Sequence, residues 1–175
     1  MKKTAALLIA AVAFCASAEA APRKGAEKLE DGLYLGLLWP LKGKTSSSYG
    51  KRIDPLSTDI LKHHSGLDLA APQGTEVAAA RAGQITFAGF RGDYGNLVII
   101  RHSDEMETRY GHLSSIKVKK GAFVRPGQVL GTVGSTGRST GYHLHFEVRI
   151  SGRAADPSKW LVPYGFMMPL QTAPH

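Results

Sequence analysis

The chain has 175 residues, a formal net charge of +8 and a single cysteine. This length suffices for one domain with its own hydrophobic core, and a single cysteine excludes a scaffold held by internal disulfides. The basic residues are scattered without the interleaved aromatic residues that stack on bases, which argues against nucleic-acid binding. Such a charge instead favours attraction to other polyanions, such as a cell wall or an anionic lipid surface.

The first twenty residues have the organisation of a secretory signal peptide. Two lysines precede an apolar run over residues 5–15, and residues 18–20 (Ala-Glu-Ala) form a small-residue cleavage site. Cleavage is expected after position 20, with residues 16–18 as the alternative, and Phe14 before Cys15 argues against lipoprotein processing. Removing two lysines and one glutamate changes the charge from +8 to +7. We expect a periplasmic or secreted protein without a transmembrane segment after cleavage.

The mature chain is expected to consist of one domain with short flanking segments. The predicted organisation is a signal peptide at 1–20, an N-terminal segment at 21–38, the main domain at 39–165 and a tail at 166–175. The N-terminal segment could contain a short helix near residues 25–31. Its four leucines are too apolar to remain in solvent, so they are expected to pack on the domain; they are Leu33, Leu35, Leu37 and Leu38.

Short apolar runs separated by glycine-rich turns predict a mostly β domain. Besides a strand at 67–70, the predicted strands are 76–80, 83–90, 96–102, 105–113, 128–133 and 143–150. This spacing favours an antiparallel sandwich or barrel. The Ser-, Gly- and Pro-rich residues 43–58 are interpreted as a loop with at most one short strand. Residues 118–130 have the rhythm of a structural hairpin that packs Val118, Val124 and Leu130 inward.

The strand predicted at 143–150 carries the most informative pattern, His-Leu-His-Phe-Glu-Val-Arg-Ile. Strict alternation places Leu144, Phe146, Val148 and Ile150 on a core face. The other face, which we expect to point to solvent, carries His143, His145, Glu147 and Arg149. Two imidazoles two residues apart on a rigid strand favour metal binding combined with proton transfer.

A second candidate ligand pair lies upstream at His64 and Asp68. Gly66 between them favours a loop entering a strand over a helix, and a carboxylate between Leu67 and Leu69 requires a partner. Together with His145, His64 and Asp68 would give three ligands and leave one coordination position open, as at catalytic zinc sites. Spacing alone does not decide whether His143 and His145 are both ligands. His112, at the end of another predicted strand, could polarise a carbonyl or hold an oxyanion.

Several motifs in chain order resemble those of a known peptidase family. They are Trp39-Pro40-Leu41, Ser48-Tyr49-Gly50-Lys51-Arg52, H-x-x-x-D at 64–68, Ala70-Ala71-Pro72, Tyr94-Gly95-Asn96, Tyr110-Gly111-His112-Leu113-Ser114 and the run from Thr136 to Glu147. From about residue 39 to 160 the chain resembles the lysostaphin/LytM-type zinc endopeptidases, metallopeptidase family 23. The resemblance implies a mostly antiparallel β-sheet fold, of the duplicated hybrid motif type, with a groove over one zinc ion.

The resemblance also implies roles for individual residues. His64, Asp68 and His145 would be the metal ligands, and His112 and His143 the unligated catalytic pair. The implied reaction is hydrolysis of cross-links or stem peptides of bacterial peptidoglycan, with the D-alanyl–diaminopimelate bond expected over a glycine bridge. His102 is interpreted as lying behind the ligands or in the groove wall, and Arg52 as either groove-forming or an ordinary sheet residue.

Two alternatives belong to other functional classes. A LytM-type protein can bind and activate a cell-wall amidase without cutting, but such proteins usually lack one or more of the five site residues. A module that only binds the cell wall would not account for the five histidine and aspartate residues. Retention of all five therefore favours an enzyme. The sequence does not identify an inhibitor or an amidase partner.

Overall fold

The structure is a computed structural model that describes residues 36–55 and 57–162. In these residues the chain forms twelve strands and two short 3-10 turns, at Gly92–Tyr94 and Pro157–Lys159. The strands are β1 (Lys44–Ser47), β2 (Gly50–Asp54), β3 (Ser57–His64), β4 (Leu67–Ala70), β5 (Glu76–Ala78), β6 (Gly83–Phe90), β7 (Asn96–Arg101), β8 (Met106–Ile116), β9 (Phe123–Val124), β10 (Val129–Val133), β11 (His143–Ile150) and β12 (Arg153–Ala155).

Ten of the strands form one sheet, and all of the pairings between named strands are antiparallel. Its main order is β1-β4-β11-β8-β7-β6-β9; β10 pairs with β5 and β8, and β12 pairs with β11. The remaining strands, β2 and β3, form a separate hairpin. The prediction of a mostly antiparallel β fold is therefore confirmed. Within the described ranges, no helix is long and apolar enough to cross a membrane.

The core lies on the inward faces of the central strands. On β11 the alternating residues Leu144, Phe146 and Val148 are completely buried, as the sequence pattern predicts. In β7 four consecutive apolar residues, 97–100, are all buried, so this central strand is covered on both faces. Burial of such side chains supplies the main stabilisation of the sheet, at about 25 cal/mol per Å² of apolar area.

The strand predictions hold where hydrophobic alternation is strong and fail where it is absent. Strands 67–70, 83–90 and 143–150 have the predicted bounds. The prediction of a loop over 43–58 is wrong, because β1, β2 and the start of β3 lie there. These strands are rich in Ser, Lys and Gly and largely exposed, so they depend on pairing with β4 or with each other and leave little apolar signal.

Residues 118–130 pack as predicted but pair differently. Val124 and Leu130 are completely buried and Val118 packs against the core. They do not form a simple hairpin, however, because β9 pairs with β6 while β10 pairs with β5 and β8. The buried positions follow from the apolar rhythm, whereas the strand partners are set by the rest of the sheet.

The beginning of the described chain is part of the domain. Leu37 is 1% exposed and forms a parallel bridge with Leu161, and the Leu38 amide donates to the Ala80 carbonyl at 2.8 Å. The Trp39 indole donates to the Val162 carbonyl at 2.8 Å. The signal peptide, the helix near 25–31, Leu33, Leu35 and the tail lie outside the described residues.

A buried polar chain joins β7, β8 and the segment before β6. His102 Nδ1 donates to the Ala82 carbonyl at 2.7 Å, and its Nε2 accepts from the Thr108 hydroxyl at 2.8 Å. Thr108 in turn is 3.0 Å from the Tyr110 hydroxyl, which accepts from the Ala80 amide. His102 comes directly after the last residue of β7, whereas the first residue of that strand, Asn96, lies at its other end. His102 does not line the groove described below. Its interpretation as groove wall is therefore wrong.

His102 should make the stability of the fold sensitive to acid. Burial lowers the pKa of His102 below its usual value. The unfolded chain therefore takes up the proton first, and the free energy of unfolding should decrease as pH falls below about 6.5. In melts of the metal-free protein at mildly alkaline and mildly acidic pH, His102→Gln should lose less melting temperature on acidification than the wild type. An equal acid-induced loss in both proteins would contradict this role.

Candidate active site

Three side-chain atoms from three different strands converge at one end of the sheet. His64 at the end of β3, Asp68 in β4 and His145 in β11 are all buried. His64 Nε2 lies 3.1 Å from Asp68 Oδ1 and 3.2 Å from His145 Nδ1, and Asp68 Oδ1 lies 2.8 Å from His145 Nδ1. The β4–β11 register places Asp68 directly opposite His145, which accounts for their proximity.

The opposite side of each converging group is held by a further hydrogen bond. His64 Nδ1 donates to the Ser48 carbonyl at 2.8 Å, which leaves the Nε2 lone pair for the centre. Asp68 Oδ2 accepts from the Arg52 guanidinium at 3.0 Å, so Oδ1 remains for the centre. His145 Nε2 donates to Glu147 Oε1 at 3.1 Å. Three outward partners thus orient His64 Nε2, Asp68 Oδ1 and His145 Nδ1 toward a common point. The carboxylate predicted to need partners has them.

Electrostatics couple the aspartate and the histidine tightly. Burial alone would raise the pKa of Asp68, but hydrogen bonds from His145 and His64 hold it well below its usual range. Burial would lower the pKa of His145, yet its hydrogen bonds to Asp68 and Glu147 raise it to about 9. The centre therefore attracts positive charge, which is what a cation-binding site requires.

His112 reaches the same place through an unusual backbone conformation. Its φ is +61°, in the left-handed region that non-glycine residues seldom adopt. Tyr110 and Leu113 on either side are both completely buried, so the simple alternation of β8 is broken between them. The left-handed residue turns the imidazole out of the core and toward the His143 ring, 4.8 Å away between centroids. Strain of this kind is common at functional sites.

The two imidazoles outside the converging set present the same nitrogen to the groove. His112 Nδ1 donates to the Thr136 carbonyl at 2.8 Å, and His143 Nδ1 donates to the Gly141 carbonyl at 2.9 Å. Because a carbonyl can only accept, the proton of each neutral ring is on Nδ1 and the Nε2 lone pair is free. Burial lowers the pKa of His112 to about 4, which keeps this ring neutral. The Nε2 of each ring can therefore accept a hydrogen bond in the groove.

These groups lie at the floor of a groove of about 500 Å³. One wall is the β2–β3 hairpin, and the other is formed by the 3-10 turn at Gly92–Tyr94 and the loop before β11. Arg138 of this loop donates to both carboxylate oxygens of Asp54 in the hairpin, at 3.0 and 2.9 Å. This ion pair joins the two walls. The sequence does not decide whether Arg52 forms part of the groove; in the structure it lines the groove and contacts Asp68.

Two glycines hold the two parts of one groove wall together. Gly95 and Gly137 have positive φ, and their backbones approach each other so closely that a Cβ on either would overlap the other segment. The 3-10 turn is thereby locked to the loop that carries Thr136, the partner of His112. Both glycines belong to turns that the sequence predicts, but their mutual contact is not readable from it.

Glu147 departs from the sequence prediction. Alternation puts it on the face of His143 and His145, but that face is covered at this point and Glu147 is 0% exposed. Its carboxylate contacts His145, Ser65 and Tyr94. Burial would raise the pKa of Glu147, but the hydrogen bonds from His145 and Ser65 lower it to about 2. The prediction that this whole face points to solvent is therefore wrong.

A comparison with models of protein families shows which family contains this arrangement of residues. The model of peptidase family M23 matches residues 62–157, more than half of the chain. The chain belongs to peptidase family M23. The matched segment includes all five histidine and aspartate residues that the sequence singles out.

Individual relatives and a solved structure are also similar to this chain. The chain is 49% identical over 120 residues to the DD-carboxypeptidase/endopeptidase Mpg of Neisseria meningitidis, covering 69% of this chain and 27% of that protein. It is 38% identical over 129 residues to the peptidoglycan DD-endopeptidase ShyA of Vibrio cholerae, covering 73% and 30%. The crystal structure of a zinc-containing peptidase from Vibrio cholerae superposes with a TM-score of 0.66 at 33% identity, covering 79% and 47%.

The chain thus spans less than a third of the length of the two M23 relatives. The segment that the family model matches, residues 62–157, includes His64 at the end of β3, Asp68 in β4 and His145 in β11. The resemblance to the M23 family stated from the sequence is therefore confirmed.

Proposed function

We propose that this M23 protein is a zinc-dependent endopeptidase that hydrolyses peptide bonds in bacterial peptidoglycan. The observation that carries the proposal is the combination of three converging ligand atoms with two imidazoles whose free Nε2 atoms face the same groove. A metal centre with adjacent imidazoles is suited to hydrolysis.

The residues of the centre fit a zinc ion. Two imidazole nitrogens and one carboxylate oxygen are ordinary zinc ligands, and three protein ligands are typical of catalytic sites. His64 Nε2, Asp68 Oδ1 and His145 Nδ1 would hold the ion. When bound, zinc supplies Lewis-acid polarisation of a scissile carbonyl and lowers the pKa of water. The zinc-containing peptidase similar to this chain supports the choice of metal.

The chain's own imidazoles would manage the protons. His143 Nε2 is 3.7 Å from Asp68 Oδ1, so it lies beside the proposed ligands without joining them. His112 lies across from it on β8. In this proposal one imidazole takes the proton of the attacking water and returns it to the leaving amine. The other enters the reaction already protonated from solvent, donates a hydrogen bond to the developing oxyanion and keeps its proton throughout.

The proposed substrate is a cross-linked muropeptide, cut at the D-alanyl–diaminopimelate bond. Support comes from the names of the M23 relatives, one a peptidoglycan DD-endopeptidase and one a DD-carboxypeptidase/endopeptidase. The groove of about 500 Å³ over the converging side chains offers room for a peptide substrate. The positive formal charge would hold the protein near the anionic wall.

The proposal includes a location and a domain organisation. We place the mature protein in the periplasm or outside the cell, with a signal peptide at 1–20, an N-terminal segment at 21–38, the peptidase domain at 39–165 and a tail at 166–175. The packing of Leu37 and Leu38 supports attachment of the end of the N-terminal segment to the domain.

Digestion of purified sacculi tests the substrate class. We expect the zinc-loaded protein to release soluble muropeptides, and we expect a chelator to stop the release and added zinc to restore it. The rival function, activation of an amidase by a catalytically silent protein, predicts no release until the amidase is added. Release that persists after complete removal of the metal would contradict the zinc requirement.

A further inference from the structure

Glu147 is a buried carboxylate with no part in the proposed ligand set, yet it contacts one member of that set directly. Its Oε1 lies 3.1 Å from His145 Nε2, on the side of the ring opposite to the converging centre. The side chain is 0% exposed. A buried carboxylate is costly unless every oxygen is hydrogen-bonded or paired, so its surroundings indicate what it does.

Each oxygen of Glu147 is held by separate partners. Oε1 accepts from the Ser65 hydroxyl, from the Tyr94 hydroxyl at 2.8 Å and from His145. Oε2 accepts from the Arg149 guanidinium at 3.0 Å, with Arg109 at 3.9 Å. The carboxylate therefore has little freedom to rotate, because its partners come from the turn after β3, from β8, from β11 and from the 3-10 turn.

The backbone encloses the contact between Glu147 and His145. A Cβ placed on Gly66 would overlap the Phe146 carbonyl and the ring of His145 and press on the Glu147 side chain. Tyr94 lies against the same imidazole, with ring centroids 5.9 Å apart. His145 is thus confined on both faces while its Nε2 is fixed by a charged acceptor.

This arrangement determines which nitrogen of His145 keeps its proton when a cation binds. In the metal-free centre each ring nitrogen faces a carboxylate oxygen, Glu147 Oε1 at Nε2 and Asp68 Oδ1 at Nδ1. Because a carboxylate can only accept, the Nε2 proton remains with Glu147, and Nδ1 is the nitrogen that can give up its proton to bind an ion at the centre shared with His64 and Asp68. His64 uses the opposite nitrogen, because its Nδ1 donates to a carbonyl. His64 and His145 therefore present different nitrogens to the centre because their outward partners differ: a carbonyl at Nδ1 of His64 and the Glu147 carboxylate at Nε2 of His145.

We infer that Glu147 is the positioning residue for His145: with Tyr94 and Ser65 it fixes the tautomer and the ring orientation that zinc binding requires. The inference rests on the proposed function, since it assigns Glu147 to the affinity of that metal site. Carboxylates hydrogen-bonded to ligand histidines raise their basicity, and their loss typically costs 10–100-fold in metal affinity.

Glu147→Gln is the informative variant, because it keeps the size of the side chain and removes its charge. Glu107→Gln is its matched control. Glu107 pairs with Arg109 at 2.7 Å and lies 4.0 Å from Arg149, but none of its described contacts reaches His145. Both variants remove one negative charge from the same arginine pair, and only one of them touches the proposed ligand.

The experiment measures the zinc dissociation constant of the full chain by competition with a chromophoric chelator. We expect about 10–100-fold weaker zinc binding for Glu147→Gln and wild-type affinity for Glu107→Gln. Proton NMR of the zinc-loaded proteins provides a second readout. The slowly exchanging Nε2 proton of His145 should be visible in wild type and Glu107→Gln, and shifted or lost in Glu147→Gln.

Tyr94→Phe provides the test if Glu147→Gln does not fold. It removes one donor to Glu147 while preserving the ring beside His145, and we expect weaker zinc binding and a shifted Nε2 proton. Unchanged affinity and an unchanged resonance in the folded variant, Glu147→Gln or otherwise Tyr94→Phe, would overturn the inference. So would an equal loss in Glu107→Gln. A wild-type protein that binds no zinc would instead contradict the proposed function itself.

Discussion

Substitution of any one of the three proposed ligands should abolish both zinc retention and peptidase activity. The suitable variants are His64→Ala, Asp68→Asn and His145→Ala. Each removes one of only three protein atoms at the centre, so the loss of affinity should exceed the 10–100-fold typical of residues behind the ligands. Asp68→Asn keeps the size of the side chain and a hydrogen-bonding oxygen while removing the charge.

Metal content after dialysis and turnover on a cross-linked muropeptide measure these effects. His63→Ala is the control for metal content, since His63 is the exposed neighbour of His64 and contributes no atom to the converging set. Full zinc retention in any one of the three variants would remove that residue from the ligand set. Circular dichroism of each metal-free variant checks that the fold is preserved.

Removal of either unligated imidazole should separate catalysis from metal binding. We expect variants of His112 and His143 to keep zinc and to lose about 10²–10⁴-fold in turnover, the usual contribution of general acid–base catalysis. The choice of substitution matters at His112, because its φ of +61° is unfavourable for alanine. His112→Asn tolerates that backbone better and limits the effect to the imidazole.

For His143, alanine is suitable, because this residue lies in a regular strand and is partly exposed. If His143→Ala lost its zinc, the proposed roles of His143 and His145 would have to be exchanged. If His112→Asn retained wild-type turnover, the imidazole at that position would have no catalytic role. Zinc content and activity must be measured on the same preparations so that the two effects remain distinct.

The parts of the site that the sequence predicts are those controlled by local periodicity. Alternation places Leu144, Phe146 and Val148 in the core and brings His143 and His145 to one face, as observed. The apolar neighbours of Asp68 indicate that its carboxylate has partners, and the structure supplies them. All five residues singled out from the sequence lie at one groove.

The parts that the sequence does not predict depend on contacts between distant segments. Glu147 shares the alternation of His143, but whether it meets solvent depends on Ser65 and Tyr94, which pack over it from elsewhere in the chain. The groups that orient His64 and His112 are backbone carbonyls, and the identity of the residue does not reveal which ring a carbonyl meets. Likewise, β1 and β2 are polar strands that depend on pairing with β4 and β3, so the sequence predicts a loop over them.

The most direct test of the central claim is the product of one reaction. A purified muropeptide dimer, joined through a D-alanyl–diaminopimelate bond, is incubated with the zinc-loaded protein in ¹⁸O-labelled water and analysed by mass spectrometry. If the protein is a zinc endopeptidase, the reaction yields two monomers, one of which carries a single ¹⁸O atom in the newly formed D-alanine carboxylate. The metal-free protein yields no monomers. An intact dimer in the presence of fully zinc-loaded, folded protein would contradict the account.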